Sequence, residues 1–243
     1  MKIGQTKFLR MCPLLNTATV AALLGNACGL STIPNALQKR LVEVLFKNGG
    51  ISMQKIVVLN GSPRKQGVTA ALAEEVSKAA SDQGAEIKSY YLNGMNIKGC
   101  QSCYACKEQE HRCILRDDMQ ELYDEIDAAD GIVFATPVYM WQMTAQLKQV
   151  IDRLYPFIKP DYSSYLAPGK KILLAVTQAR HDTLMFHHYF EHMGKNLLFL
   201  GFGVYKILIA GGAKIPEDFY KQTEVVAEAR RMGNWLAESN SEA

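Results

Sequence analysis

Residues 55–69 read KIVVLNGSPRKQGVT, and this stretch decides the fold class. Its first five residues, Lys55–Leu59, are mostly apolar and rich in β-branched side chains, which is typical of a strand buried on both faces. A loop rich in Gly and Pro follows at once, and a segment with helical periodicity begins at Thr69. A buried strand that passes through a tight loop into a helix predicts a βαβ unit and a parallel sheet.

The same alternation of strand and helix continues along the chain. We predict strands at Lys55–Leu59, Ile87–Leu92, Gly131–Thr136, Lys171–Thr177 and Val204–Ile209, and helices at Thr69–Gln83, Met119–Ala129, Ala145–Tyr155, Thr183–Leu200 and Glu217–Glu238. This pattern predicts one doubly wound α/β domain over residues 53–243. Ligands of such sheets bind at the carboxyl ends of the strands, so the loop after Leu59 is the first place to look for a site.

The first 52 residues differ from the rest in charge. They carry six basic residues and one acidic residue, a formal charge of +5, so with +3 for the whole chain residues 53–243 carry −2. They contain no convincing signal peptide and no apolar run near the roughly 20 residues of a membrane-spanning helix. Met53 stands two residues before the first strand, and we expect translation to start there. Residues 1–52 would then be an N-terminal extension that is not natively translated or is poorly ordered.

The overall composition excludes several classes of protein. Charged residues make up 21% and aromatic residues 9% of the chain, which argues against disorder, and a mean hydropathy of −0.07 argues against a multi-span membrane protein. A net charge of +3 gives no indication of nucleic-acid binding. We therefore expect a cytoplasmic protein that binds neither nucleic acid nor membrane.

The loop after the first strand has the composition of an anion site. A helix N-terminus offers free N–H groups and a positive dipole end, and glycines such as Gly67 allow close approach of the backbone. Ser62 and Thr69 add hydroxyl donors, and the planar guanidinium of Arg64 can bind a phosphate in a bidentate manner. The alternative is an ordinary turn in which Ser or Thr caps the helix. We favour phosphate binding.

Two segments together resemble a known family. Val57–Arg64 with Thr69, and TPVYMW at residues 136–141, resemble the NADPH-dependent FMN reductases and iron-sulfur flavoproteins of the flavodoxin-like superfamily. The resemblance implies a flavodoxin-like five-stranded sheet of order 2-1-3-4-5 with helices on both faces. It also implies that the first loop binds the FMN phosphate and that a second set of residues lies along the flavin ring: Thr136, Pro137, Val138, Tyr139 and Trp141. Backbone N–H groups of residues 138–141 are expected to face the ring edge.

The loop after the fourth strand departs from the family pattern. Relatives usually carry a Gly-rich segment there, whereas this chain has TQARH at residues 177–181. The surroundings of the flavin ring at this loop are therefore expected to be particular to this chain.

Four cysteines fall within fourteen consecutive positions: Cys100, Cys103, Cys106 and Cys113. Their spacing, C-x2-C-x2-C-x6-C, suits four thiolates that wrap one [4Fe-4S] cluster, and it resembles the compact motif of the iron-sulfur flavoproteins. Zinc is a competing ligand, and relatives without a cluster also keep cysteines in this loop. Asp118 is predicted to cap the helix that follows.

These features together predict an FMN-dependent NAD(P)H oxidoreductase. Electrons would pass from NAD(P)H through FMN, by a ping-pong route, to a small-molecule acceptor such as a quinone or free flavin. The alternatives are an electron carrier that links ferredoxin, a [4Fe-4S] cluster and FMN, and a zinc or redox sensor. The resemblance also implies a homodimer or homotetramer.

Overall fold

The computed structural model describes residues 53–108 and 112–239. Its strands are β1 (Lys55–Asn60), β2 (Glu86–Tyr91), β3 (Gly131–Pro137), β4 (Lys171–Gln178) and β5 (Val204–Gly211). Its α-helices are α1 (Val68–Asp82), α2 (Met119–Ala128), α3 (Ala145–Asp152), α4 (His187–Phe199), α5 (Pro216–Tyr220) and α6 (Thr223–Ala237). The expectations for residues 1–52 lie outside the described residues.

The five strands form one parallel sheet in the order β2-β1-β3-β4-β5, which confirms the predicted fold class and strand order. The three central strands are buried on both faces, and all eight residues of β4 are buried. This burial explains their almost continuous apolar sequence, because helices cover both sides of the sheet.

Two hydrophobic cores lie on opposite faces of the sheet, as the alternation of side chains along a strand requires. Val57 and Phe134 belong to the core that contains residues of α2, α3 and α4, whereas Val58 and Val133 belong to the core that contains residues of α1 and α6. Both faces are therefore covered. The carboxyl edge of the sheet, where the strands enter their loops, is left for the functional site.

Three predicted helices differ from the observed ones. The predicted helix Glu217–Glu238 is two helices, because α5 ends at Tyr220 and α6 begins at Thr223. At this break the side chain of Gln222 donates a hydrogen bond from Nε2 to the carbonyl of Gly211 at 2.9 Å. Helix α3 stops at Asp152, three residues before the predicted end, and a short 3-10 helix follows at Tyr155–Phe157. Helix α4 begins at His187 rather than at residue 183.

Within the described residues, no helix combines the length and the apolar character that crossing a membrane would require.

Candidate functional site

A cavity of about 370 Å³ opens at the carboxyl edge of the sheet, between the loops that follow β1, β3, β4 and β5. Seven of the predicted site residues line it: Ser62, Arg64, Gly67, Thr69, Pro137, Val138 and Tyr139. Thr177, Gln178 and Ala179 from the end of β4, and Ala213 and Lys214 beyond β5, complete the wall together with Val68. Loops far apart in the sequence meet here because parallel strands all end at the same edge.

The loop after β1, the candidate anion site, is shaped by its own hydrogen bonds. The N–H of Ser62 donates to Asn60 Oδ1 at 2.9 Å, and the N–H of Arg64 donates to Ser62 Oγ at 3.2 Å. No side chain caps α1, whose N-cap is Gly67. The Ser or Thr helix cap of the alternative interpretation is therefore not formed, although these hydrogen bonds are also those of an ordinary turn. The N–H groups at the start of α1 and its positive dipole end fit a phosphate.

Gly67 allows the backbone to close up beneath this anion site. A Cβ added there would lie 3.0 Å from Arg64 Cβ and 3.3 Å from the Arg64 carbonyl oxygen. Thr69, at the first turn of α1, is buried, and its hydroxyl lies 2.7 Å from the Thr177 hydroxyl at the end of β4. That contact ties the first turn of α1 to the wall of the cavity.

Thr144, which was not predicted as a site residue, joins the β1 loop to the β3 loop. Its fully buried hydroxyl donates to the carbonyl of Gly61 at 2.8 Å, and its N–H donates to Thr136 Oγ1 at 3.1 Å. The same hydroxyl accepts the N–H of Leu147 at the start of α3. A Thr directly before an amphipathic helix is the N-cap signal that could have identified it. What it could not show is the bond to Gly61.

Gly61 lies so close to Thr144 that a side chain there would collide. An added Cβ would lie 2.8 Å from both Leu147 Cβ and Thr144 Oγ1. We expect Gly61→Ala to lower the free energy of unfolding by about 1–3 kcal/mol, as overpacking of a tight site does. Gly99→Ala is the control, since an added Cβ there meets no atom within 4 Å. Urea unfolding of both variants tests this, and equal stability of the two would contradict it.

The loop after β3 forms a tight turn over Tyr139–Gln142. The N–H of Tyr139 donates to the Gln142 carbonyl at 2.9 Å, and Met140 and Trp141 between them have φ of +44° and +70°. Left-handed backbone at two consecutive non-glycine residues is strained, and such strain is concentrated at functional sites. The turn holds the side chains of Met140 and Trp141 out in solvent, 76% and 67% exposed.

Not every residue of this loop is placed as expected. The N–H of Val138 donates to the Thr177 carbonyl at 2.8 Å, so the N–H groups of Val138 and Tyr139 already have acceptors within the protein. Of the four N–H groups expected to face a ring edge, this leaves those of Met140 and Trp141. Thr136 lies beneath the cavity, 1% exposed, with its hydroxyl bonded to the Thr144 N–H. Trp141 does not line the cavity.

The four cysteines line a second cavity, of about 410 Å³, on the loop between β2 and α2. All four are free thiols: Cys100 and Cys103 are exposed, and Cys106 and Cys113 are half-buried. As placed in residues 53–108 and 112–239, no three His, Cys, Asp or Glu side chains form a site for a metal ion. The four thiols thus line one cavity without converging on a metal-ion site.

A buried ion pair anchors the cysteine loop. Arg153 binds Asp117 through two nitrogens, at 2.7 and 3.1 Å, and both side chains are only 1% exposed. Arg153 also donates to the carbonyl of Lys98 at 2.7 Å, and Asp117 accepts the N–H of Lys98 at 3.0 Å. The pair thus holds both backbone groups of the residue two positions before Cys100. Neither side chain was singled out from the sequence.

The charges of this pair are mutually stabilised. Burial alone would raise the pKa of the Asp117 carboxyl, but the hydrogen bonds from Arg153, from the N–H of Lys98 and from the N–H of Met119 outweigh it and lower that pKa below its ordinary value. Burial raises the pKa of Tyr123, whose hydroxyl donates to the Arg153 carbonyl at 2.8 Å. Tyr123 and Arg153 both line the cysteine cavity.

The predicted helix cap is wrong in detail. Asp118 accepts the N–H of Asn96 at 2.7 Å and makes no cap bond with α2. Asp117 accepts the N–H of Met119 at 3.2 Å instead. The carboxylate one residue earlier therefore serves the helix and the ion pair together.

Two further contacts fix the cysteine loop against the segment after α3. Lys107 donates to the Tyr155 carbonyl at 2.7 Å, and its ammonium lies 3.6 Å from the centre of the Tyr155 ring. Ser102 and Tyr104 have φ of +52° and +58°, so this loop also contains left-handed non-glycine residues. Such a loop holds its shape through its tertiary contacts.

Comparison with known proteins places the chain among flavin enzymes. The sequence profile described as NADPH-dependent FMN reductase matches residues 54–199, more than half of the chain. An iron-sulfur flavoprotein of Methanosarcina thermophila is 37% identical over 99 residues, covering 41% of this chain and 51% of the relative. One from Archaeoglobus fulgidus is 38% identical over 110 residues, covering 45% and 55%. The matches thus span about half the length of these curated relatives.

Solved structures show the same fold at low identity. An NAD(P)H:quinone oxidoreductase from Methanothermobacter marburgensis superimposes with a TM-score of 0.62 at 20% identity, over 76% of this chain and 100% of the other. An FMN-dependent NADH-azoreductase from Bacillus anthracis gives 0.58 at 14% identity, over 76% and 100%. At these identities the likeness establishes the architecture alone.

Proposed function

The chain belongs to the NADPH-dependent FMN reductase family, and on that premise we propose that it is an FMN-dependent oxidoreductase that takes electrons from NAD(P)H. The observation that supports this most directly is the cavity at the carboxyl edge of the sheet, where the uncapped N-terminus of α1 meets the β3 and β4 loops. A helix terminus for a phosphate beside a broad wall of loops for a flat ring suits a flavin mononucleotide. The FMN-binding domain would be residues 53–243, with residues 1–52 as the extension.

In this proposal the predicted site residues divide between the phosphate and the ring of FMN. Ser62, Arg64, Gly67 and Thr69 would bind the phosphate, and Pro137, Val138 and Tyr139 would lie along the ring, with Thr136 supporting them from below and Trp141 beyond the edge. When bound, FMN supplies the redox chemistry by accepting a hydride and passing electrons on. The protein therefore needs to hold the ring and exclude water from it, and no acid-base pair is required of the side chains.

A small, flat acceptor fits the surroundings of the cavity. Met140 and Trp141 stand beside its β3 wall with most of their surface exposed, which offers an apolar face to an aromatic compound. We propose that electrons pass to a quinone, a free flavin or a similar molecule. Steady-state NADPH oxidation by the FMN-loaded protein, with menadione or free FMN as acceptor, tests this. Parallel double-reciprocal plots are expected, and no turnover with either acceptor would refute it.

The proposed contact between Arg64 and the FMN phosphate can be tested by comparing ligands with and without that phosphate. We expect Arg64→Gln to weaken FMN binding by about 10- to 100-fold, the range for a lost charge-assisted hydrogen bond. Riboflavin, which lacks the phosphate, should bind both forms alike. Lys65→Gln is the control, because Lys65 lies over the Tyr91 ring and does not line the cavity. Fluorescence titration measures the six affinities of the three proteins for the two ligands, and an equal loss for riboflavin would contradict the assignment.

A second candidate function, an electron carrier, is favoured by the four thiols around one 410 Å³ cavity. We propose that Cys100, Cys103, Cys106 and Cys113 hold a [4Fe-4S] cluster, as the names of the relatives suggest. When bound, a cluster of this kind transfers one electron at a time. Protein purified without air should then show cluster absorbance and contain iron. A yellow protein with flavin bands alone and no iron would reject the cluster.

The rate of NADPH oxidation distinguishes an electron carrier from a reductase. A carrier that links ferredoxin, cluster and FMN would oxidise NADPH barely at all but would accept electrons from reduced ferredoxin. A reductase would consume NADPH steadily whether or not iron is present. The two measurements on one anaerobic preparation therefore decide between the proposals.

We further propose that the protein is a cytoplasmic homodimer or homotetramer. Large apolar side chains are exposed beside both cavities, among them Tyr104 and Trp141, at 60% and 67%, and a second copy could cover them. The four free thiols suit a reducing compartment. Light scattering of the purified protein measures the assembly, and a monomer at micromolar concentration would refute it.

A further inference from the structure

Gln178 lies at the end of β4, and only the nitrogen of its side-chain amide makes hydrogen bonds within the described residues. The side chain is only 4% exposed, and Nε2 donates to the carbonyls of Arg180 at 3.0 Å and Asp182 at 2.6 Å. Because those two carbonyls can only accept, they fix which end of the amide is nitrogen. Oε1 is buried and accepts no hydrogen bond from the described residues.

This oxygen is exceptional among the described residues. Only one other buried side-chain oxygen or nitrogen there has no hydrogen-bond partner, Glu125 Oε2, and it lies 3.1 Å from the ammonium of Lys55 in an ion pair. Buried acceptors are almost always satisfied, because an unpaired one costs the free energy of its lost hydration. Within the described residues, Gln178 Oε1 is therefore left as a free acceptor for a bound molecule.

The position of Gln178 indicates which molecule. It lines the 370 Å³ cavity together with its neighbours Thr177 and Ala179, and Ser62 and Gly67 of the candidate anion site line the same cavity. We propose that Gln178 Oε1 accepts a hydrogen bond from an uncharged N–H or O–H group of FMN bound in that cavity. This inference rests on the proposed function.

The chemistry of the ligand narrows the choice to two groups. An amide oxygen does not pair with a phosphate or with the ring carbonyls, which are acceptors themselves. The donors of oxidised FMN are the ring imide N–H and the ribityl hydroxyls. Gln178 would thus select for a flavin by its ring edge or its sugar chain, whereas Arg64 acts on the phosphate.

The test pairs one substitution with three ligands. Gln178→Met keeps the length of the side chain and removes the acceptor, together with the two hydrogen bonds from Nε2 to the Arg180 and Asp182 carbonyls. Affinities for FMN, 3-methyl-FMN and lumiflavin are measured by fluorescence titration of the apoprotein. Gln222→Met is the matched control, since Gln222 also holds a loop carbonyl, that of Gly211, but does not line the cavity.

We expect Gln178→Met to weaken FMN binding by about 3- to 10-fold, the effect of one neutral hydrogen bond, and Gln222→Met to leave it within twofold. If the partner is the imide N–H, the loss persists with lumiflavin and disappears with 3-methyl-FMN. If it is a ribityl hydroxyl, the loss persists with 3-methyl-FMN and disappears with lumiflavin.

Two outcomes overturn the inference. An equal loss with all three ligands would mean that the substitution acts on the loop alone, and no loss with FMN would mean that a water satisfies Oε1. Failure of the unaltered protein to bind any flavin would instead refute the proposed function, which keeps the two failures apart.

Discussion

Replacing Arg153 with methionine is expected to lower the free energy of unfolding by about 3–5 kcal/mol, the usual cost of removing one partner of a buried ion pair. Asp117 is almost fully buried, and the substitution would leave its carboxylate without a compensating charge. It would also remove a donor from the Lys98 carbonyl. Methionine fills a similar volume, so the loss would report the charge and its hydrogen bonds rather than a cavity.

The double variant Asp117→Asn, Arg153→Met provides the control. It removes both charges and is expected to recover a substantial part of the stability, because the cost lies mainly in the uncompensated carboxylate. Guanidinium unfolding of the three proteins at neutral pH gives the comparison. A loss below about 1 kcal/mol for Arg153→Met, the size of an exposed ion pair, would show that the pair is open to solvent.

The pH dependence gives a second test of the same pair. The pKa of Asp117 is lowered in the folded protein, so its contribution to stability is fully present above the ordinary carboxyl pKa of about 4. It is lost as the pH falls through the lowered value. The difference in stability between the unaltered protein and Arg153→Met should therefore be largest at neutral pH and shrink in acid.

Replacing Cys103 with serine is expected to remove the cluster proposed for the cysteine cavity. Iron should fall from about four atoms per chain to nearly none, because a cubane bound by three thiolates is readily lost. FMN should remain, since no residue lines both cavities. Iron analysis and the absorbance spectrum of anaerobic protein measure the two cofactors separately.

Ser102→Ala is the matched control for this variant. It alters the same strained loop, where Ser102 has φ of +52°, and keeps all four thiols. It should retain both iron and flavin. If Cys103→Ser kept its full iron content, the thiol would not be a ligand, and if it lost FMN as well, the two sites would not be independent.

The central strands were predictable because burial on both faces requires a nearly continuous apolar sequence. The apolar run at Lys55–Leu59 and the loop after it identify the first strand and the anion site together, since they are adjacent in the chain. The buried position of Arg153, directly after α3, was not predictable, because its partner Asp117 lies 36 residues away in the sequence. Such a pairing has no local signal.

The parts of the site that could not be predicted depend on tertiary structure. Thr144 shows the signal of a helix cap, but its bond to Gly61 spans 83 residues. The left-handed backbone at Met140 and Trp141 also had no signal in the sequence, because glycine is the residue type that usually predicts a positive φ. The unused oxygen of Gln178 becomes visible only once the donors around it are known.

The bonds of Thr144 have a consequence for the speed of electron transfer. Because one buried hydroxyl joins the β1 and β3 loops, neither loop can shift far without the other when the charge on a ligand between them changes. A polar environment that is already in place costs little reorganisation at the moment of reaction. If FMN binds here as proposed, the two linked loops would lower the reorganisation energy of its reaction, and the electron-transfer rate would depend mainly on the distance and driving force to the next redox partner.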